Sequence, residues 1–254
     1  MNREHTNSPS IPVLFEDNHI IAVVKLPGIP SQEDETGDPD MLTLIKQDLK
    51  ERYNKPGNVF LGLVHRLDRP VGGAMLFAKT SKAASRLSES VRSRTFGKTY
   101  VCVVHGRPSQ PQGRLRHYIS KDAKRNQVTV YNGATADAKE AILDYEVTAH
   151  AGGFSLIAVS LLTGRSHQIR AQMAHIGCPL VADRKYGAPP LSTVSDIALW
   201  STSVGAPHPV TKEQLCFRSI PYGSPAWSWW TQEQLETAAN LFIKEGPTPY
   251  APKA

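Results

Sequence analysis

The chain has 254 residues, 40 % of them hydrophobic, and a net charge of +6. That length fits one large domain or two small ones, with enough apolar residues for a real core. No apolar run approaches the roughly 18 residues of a membrane span, and MNREHTNSPSIP at the N-terminus lacks the apolar stretch of a secretion leader, so a cytoplasmic protein is expected. Cys102, Cys178 and Cys216 lie far apart with no C-x-x-C spacing, which reads as buried free thiols in a reducing compartment.

The charge is segregated along the chain. Residues 1–60 hold 6 Lys/Arg against 10 Asp/Glu, a net −4; residues 61–125 hold 14 against 3, a net +11; the remainder holds 9 against 10, a net −1. Such a basic segment implies a polyanionic partner, nucleic acid first, although a solvated helix face could account for Lys82, Arg86, Arg92 and Arg94.

In chain order, residues 1–10 are polar and expected to be a disordered tail, with residues 11–254 forming a single catalytic domain. Val13 to Lys25 predicts a hairpin that turns at Asp17-Asn18 and ends at Pro27 and Gly28. The acidic stretch Gln32–Asp40 reads as a loop. Asp38 is expected to cap a helix over residues 39–53, with Pro39 at its first position and Met41, Leu42, Ile45 and Leu49 on one face.

Leu61–Lys79, LGLVHRLDRPVGGAMLFAK, predicts strand, tight loop, strand, with Asp68 on the loop beside His65, Arg66 and Arg69. Nearby positive charge favours a carboxylate over a carboxylic acid, so Asp68 suits a nucleophile or a base. Thr80 or Ser81 then caps a helix whose buried stripe is Ala84, Leu87 and Val91. Lys98–His105 predicts a strand with Tyr100, Cys102 and Val104 on one face and Val101 and Val103 on the other. Arg107–Arg125 is basic and reads as loop-rich; short strands follow at residues 127–131, 141–147 and 154–162.

LLTGRSHQIRAQMAHIG, from Leu161, is a second polar block. A strand ends at Leu162, Ser166 is expected to cap a helix, and Gly177 stops it. Arg165, His167, Gln168 and Arg170 crowd the start of that helix, where cations are mildly unfavourable, so an anion is expected to hold them. Late strands are expected at residues 197–204 and 214–220, Trp227, Trp229 and Trp230 at a core edge, and a last helix over residues 231–244. The pattern predicts an α+β fold with a mixed, largely antiparallel sheet and flanking helices.

Several chemistries are excluded by motif. His65-Arg66-Leu67-Asp68 lacks the Asp directly after Arg, the glycine-rich loop and the Asp-Phe-Gly of a protein kinase. There is no phosphate-binding G-x-x-x-x-G-K, no G-x-G-x-x-G, no zinc-ligand spacing and no G-x-S-x-G. One carboxylate, several arginines, a strand tyrosine and a basic surface remain, which fits chemistry on a nucleic acid with no metal and no cofactor.

Three blocks in order, HRLDRPVGGAMLFAKT, KTYVCVVHG and LLTGRSHQIRAQMAHIGCPLVADRKYG, resemble the RluA-type pseudouridine synthases. The resemblance implies isomerisation of uridine to pseudouridine in rRNA or tRNA, without metal or cofactor, on the pseudouridine synthase fold, a mixed central sheet with a central cleft. It places the catalytic aspartate at Asp68, the strand tyrosine at Tyr100 and the basic partner of the aspartate at Arg170. RNA contacts are expected from His65, Arg66, Arg69, Arg165, His167 and Gln168, and a monomer is expected. Two positions depart from the family pattern: Gly73 stands where many members carry Ser, and Trp200 near where many carry His. No separate RNA-binding domain like ribosomal protein S4 is expected ahead of the first hairpin. Whether Asp68 attacks C1′ or removes the C2′ proton stays open, as does a non-catalytic RNA-binding role for the same scaffold.

Overall fold

The computed structural model describes residues 11–243; the N-terminal tail and the end of the last predicted helix lie outside that range. Eleven strands form one sheet: β1 (Val13–Glu16), β2 (Ile20–Lys25), β3 (Gly62–Leu63), β4 (Gly72–Ala78), β5 (Gly97–His105), β6 (Gln112–Asp122), β7 (Gln127–Tyr131), β8 (Lys139–Ala151), β9 (Phe154–Leu161), β10 (Leu199–Pro207) and β11 (Gln214–Arg218). Their order is β1-β2-β4-β10-β5-β9-β8-β6-β7, with β3 pairing β4 and β11 pairing β10. Only β10 and β4 run parallel. The helices are α1 (Met41–Arg52), α2 (Ser81–Arg92), α3 (Gln168–His175) and α4 (Gln232–Asn240).

The two-residue period of a strand sorts the core into layers. On one face of the sheet Tyr100, Cys102 and Val104 join Met75, Phe77, Ile157 and Val159 under Met41, Ile45 and Leu49 of α1 and Ile169 and Met173 of α3. On the other, Val101 and Val103 meet Trp200, Trp227, Trp230 and the α4 residues Leu235 and Ala238. Ala74, Leu76 and Ala78 of β4 pack with Ala83 and Leu87 of α2. Each fully buried Leu or Ile contributes roughly 1.5–3 kcal/mol, so α1 alone supplies several such increments. The tryptophans are core residues, as expected from sequence.

Three local expectations are corrected. Asp40, not Asp38, caps α1: its carboxylate accepts from the N–H groups of Leu42 and Thr43. Asp38 is drawn away to Arg69. The loop-rich Arg107–Arg125 segment contains an eleven-residue strand, β6. Its side chains are mostly exposed because it lies next to the sheet edge, so it lacks the apolar alternation of an interior strand. Ser166 does not cap α3; His167 occupies that position with a left-handed φ of 51° and no side-chain cap bond. Thr80 does cap α2, and Thr231 with Gln234 forms a reciprocal capping box on α4.

The parallel contact of β4 with β10 pairs Gly72 with Trp200 and Gly73 with Ser201. Gly73 has φ +117° and a Cβ there would lie 2.2 Å from the Ser201 carbonyl oxygen. At Gly72 a Cβ would fall 2.4 Å from the Trp200 ring. Gly72 and Trp200 are therefore one packing arrangement, and Gly73 packs on the Ser201 backbone beside it. Gly73→Ser is expected to lower unfolding stability by about 3 kcal/mol or more, because it adds both strain and overlap; urea melts of the two proteins measure it.

Candidate active site

Asp68 sits on the loop between β3 and β4, and that loop is held from beneath. Ser31 donates through Oγ to the Leu67 carbonyl (2.7 Å) and accepts from the Leu67 N–H (3.1 Å). Lys25, fully buried at the end of β2, donates from Nζ to the carbonyls of Leu26, Arg69 and Val71 at 3.1, 2.9 and 2.7 Å. Burial pulls its ammonium down to about 7, against the opposing attraction of Asp68. Three donors meet three carbonyls, so the loop backbone is fixed although it has no sheet partner.

Arg170 projects from the first turn of α3. Its Nη1 donates to Asp68 Oδ2 at 3.0 Å, while Nε and Nη2 bind both oxygens of Asp183 at 2.7 and 2.8 Å. Asp183 is 1 % exposed and Arg170 4 %. Burial works against the guanidinium, but the bonds and charges of Asp183 and Asp68 outweigh it and hold Arg170 above its usual range. The bidentate pair with Asp183 anchors the fork and leaves one N–H aimed at Asp68. Asp183 carries no role in the sequence reading. Its only sequence signal is its place in VADRKYG, just behind the second polar block.

Tyr100 and Asp68 line the same open cleft, of about 980 Å³. Tyr100 is 6 % exposed, and burial followed by the charge of Asp68 pushes its phenol upward, so it is neutral at ordinary pH. His167 Nε2 lies 3.9 Å from Asp68 Oδ2, and its Nδ1 is 2.7 Å from the Tyr186 hydroxyl. Asp68, Tyr100, Arg170 and His167 therefore converge from a loop, a strand and a helix. Among the described residues no three His, Cys, Asp or Glu side chains gather as metal ligands.

Three of the expected RNA contacts line the cleft but are engaged by partners within the protein. His65 is buried; its Nε2 accepts from the Leu76 N–H at 2.9 Å, and burial with the Lys98 charge pushes the imidazole down to about 3. Gln168 is buried and bonded at both ends, accepting from Thr163 Oγ1 and the Arg165 N–H and donating to the Ile142 carbonyl. It closes the turn into α3. Arg69 is taken by the acidic loop, donating to the Gly28 carbonyl and Thr36 and pairing with Asp34 and Asp38. Arg66 and Arg165 are exposed at the cleft, as expected.

The basic segment divides in the same way. Lys79 pairs with Glu16, Arg92 with Glu89, Arg114 with Asp144 and Arg116 with Glu140. The paired Arg69 and Arg92 line the cleft together with Arg66, Arg94, Lys98, Lys121, Arg165 and Lys185, and among the described residues none of the last six makes an ion pair. Two of them, Arg165 and Lys185, lie outside residues 61–125. Burial holds Lys98 below its ordinary range, which an arriving anion would reverse.

A carboxylate aimed by a buried arginine, in a cleft rimmed by unpaired cations, defines a class of protein that performs carboxylate chemistry on a nucleic acid. The comparisons give the family. The profile described as RNA pseudouridylate synthase matches residues 19–175, which takes in Asp68, Tyr100 and Arg170. The chain belongs to this family of enzymes, which isomerise uridine in RNA. It is 32 % identical to an uncharacterized RNA pseudouridine synthase, YjbO, of Bacillus subtilis over 82 % of this chain and 71 % of that protein. It is 33 % identical to ribosomal large subunit pseudouridine synthase D of Yersinia pestis over 70 % of this chain and 53 % of that one. The chain thus spans only about half the length of some relatives. The fold matches human RNA pseudouridylate synthase domain containing 1 (TM-score 0.70, 20 % identity, 94 % of this chain and 97 % of that one) and domain containing 4 (0.70, 19 %, 89 % and 93 %).

Asp183→Asn is expected to cost about 3 kcal/mol of stability, since it leaves a buried guanidinium with one carboxylate; thermal melts measure this. His65 binds a proton more weakly in the native state (about 3) than when unfolded (about 6.5), so the unfolded chain gains it first as pH falls. Stability is lost as pH drops from about 6.5 toward 3, and His65→Gln should flatten that limb in urea melts taken across the range.

Proposed function

We propose that Asp68 is the catalytic carboxylate, acting on a uridine of rRNA or tRNA. The observation that carries this reading is the Asp68–Arg170–Asp183 arrangement facing a cleft with six unpaired cations. The reaction breaks the C1′–N1 bond and makes C1′–C5. Asp68 either attacks C1′ or removes the C2′ proton to give a glycal; both routes need an aimed carboxylate at the sugar. Arg170 aims it. Tyr100, neutral and apolar on its ring faces, packs against the uracil and keeps the detached base from leaving while it turns. The target nucleotide must first leave its stack, at a cost of a few kcal/mol. Arg66, beside Asp68, is placed to fill the gap or hold a phosphate. The other cleft cations take backbone phosphates, so affinity falls steeply with salt.

Large-subunit rRNA is the favoured substrate, because several relatives carry that name: ribosomal large subunit pseudouridine synthases C and D in addition to proteins named only as RNA pseudouridine synthases. Residues 11–254 act as one catalytic domain, a monomer in the cytoplasm; among the described residues no helix is long and apolar enough to cross a membrane.

C5-tritiated rRNA and tRNA transcripts test the reading by tritium release. Wild type should release tritium and Asp68→Ala should fall to background; no release from any transcript by wild type would overturn it. Arg170→Ala should lose at least about a hundredfold in kcat while RNA affinity changes by less than about tenfold, because the residue acts on the carboxylate and not on the phosphates.

A further inference from the structure

Tyr186 has no place in the roles assigned so far. Its hydroxyl lies 3.0 Å from the Val128 backbone nitrogen and 2.7 Å from His167 Nδ1. A backbone N–H can only donate, so the hydroxyl accepts from Val128 and its single proton is free for Nδ1. With that proton turned toward the ring, the 2.7 Å contact fits Nδ1 as the acceptor. Burial lowers the His167 imidazole, against the pull of Asp68, so the ring is neutral and its one proton sits on Nε2. At 3.9 Å from Asp68 Oδ2 this N–H is too far for a hydrogen bond, and no partner for it is recorded among the described residues. The ring cannot swing away: the His167 side chain is 8 % exposed, its backbone is held at φ 51°, and Arg170 stacks 5.2 Å from the Tyr186 ring centre.

We infer that His167 is a further catalytic residue, which donates Nε2–H to the O2 carbonyl of the target uracil, with Tyr186 as the positioning residue that sets its tautomer. The inference rests on Asp68 acting at the sugar. If Asp68 meets C1′ or C2′, a donor about 4 Å from its oxygen reaches the atoms next to the glycosidic bond, and O2 is the carbonyl there. When C1′–N1 breaks, its electron pair goes to the uracil and is shared among N1, O2, O4 and C5, the last of which then makes the bond to C1′. A neutral donor fixed before the reaction stabilises that charge as it develops. The Val128 N–H ties the same tyrosine to β7, next to Lys121 at the end of β6 and Asn126 in the β6–β7 turn, both at the cleft mouth, so seating of RNA there and alignment of His167 share one hydrogen-bonded chain.

The test compares single-turnover tritium release from C5-tritiated rRNA transcripts made with uridine, 2-thiouridine or 4-thiouridine. Sulfur at position 2 is a poor acceptor, so wild type should slow about tenfold on the 2-thio RNA. His167→Ala should slow about thirtyfold on uridine RNA and show no further loss on 2-thio RNA, while 4-thio RNA affects both proteins equally. Tyr186→Phe should lower kcat about tenfold with KM unchanged, and should add an ionisation near pH 6 to 7 to the rate profile as the tautomer lock is lost. His167→Gln, which retains an N–H donor, should recover part of the rate and keep part of the 2-thio effect. RNA binding by each variant, measured by filter retention, verifies folding. An equal 2-thio penalty in wild type and His167→Ala, or unchanged kcat in His167→Ala, would sink the assignment. Absence of release by wild type would instead strike at Asp68 and the reaction itself, and so separates the two failures.

Discussion

The buried guanidinium of Arg170 is the constraint from which the rest of the site follows. It lies between two carboxylates, one inaccessible and one facing the cleft. Had Asp183 been absent, the fork would have been free to close on Asp68 with two hydrogen bonds and occupy both of its oxygens. Because Asp183 takes Nε and Nη2, only Nη1 reaches Asp68. The exposed carboxylate is therefore oriented by one bond and keeps an oxygen available for the substrate. A buried ion cluster of this kind adds little net stability compared with an apolar core; what it provides is geometry.

Around that cluster the fold supplies rigidity by unrelated means. Lys25 and Ser31 satisfy the backbone of the Asp68 loop from below, in place of sheet partners. Gln168 does the same for the turn ahead of α3. The close approach of β4 to β10, possible only with glycine at positions 72 and 73, brings the strand that follows Asp68 against the strand beside Tyr100. Polar residues that a motif would present as ligand contacts are thus, in part, fasteners for the residues that do the chemistry.

The electrostatics sort in the same way. Part of the positive charge of residues 61–125 is paired with acids: Arg69, Lys79, Arg114 and Arg116 with acids outside the segment, Arg92 and Arg125 with Glu89 and Asp122. The acidic loop of residues 32–40 has a specific use, since it binds Arg69. Six of the cations that stay unpaired are collected from five separate segments around one opening. A polyanion entering there meets cations at the rim and a single aimed carboxylate inside.

Much of this was legible in the order of residues alone. Strand alternation put Tyr100 with Cys102 and Val104 on one face, and the structure keeps them there, because a two-residue period leaves a strand no other choice. Asp68 could be named because it lies in a compact polar block bounded by apolar strands, and Tyr100 and Arg170 because their blocks resemble the family pattern. The helix caps were read less well: Asp40 and His167 replaced Asp38 and Ser166, since Asp38 had a distant partner in Arg69 and the turn before α3 was closed by Gln168. Whether a polar side chain faces inward or outward was beyond the sequence. His65, Arg69 and Gln168 look like Arg66 and Arg165 in the linear chain, and only their tertiary neighbours separate fasteners from free ligands. Asp183 and Tyr186 were missed for the same reason. Their roles exist only because a turn 13 and 16 residues beyond Arg170 folds back against α3, a contact that depends on packing across the sheet and leaves no local periodicity to read.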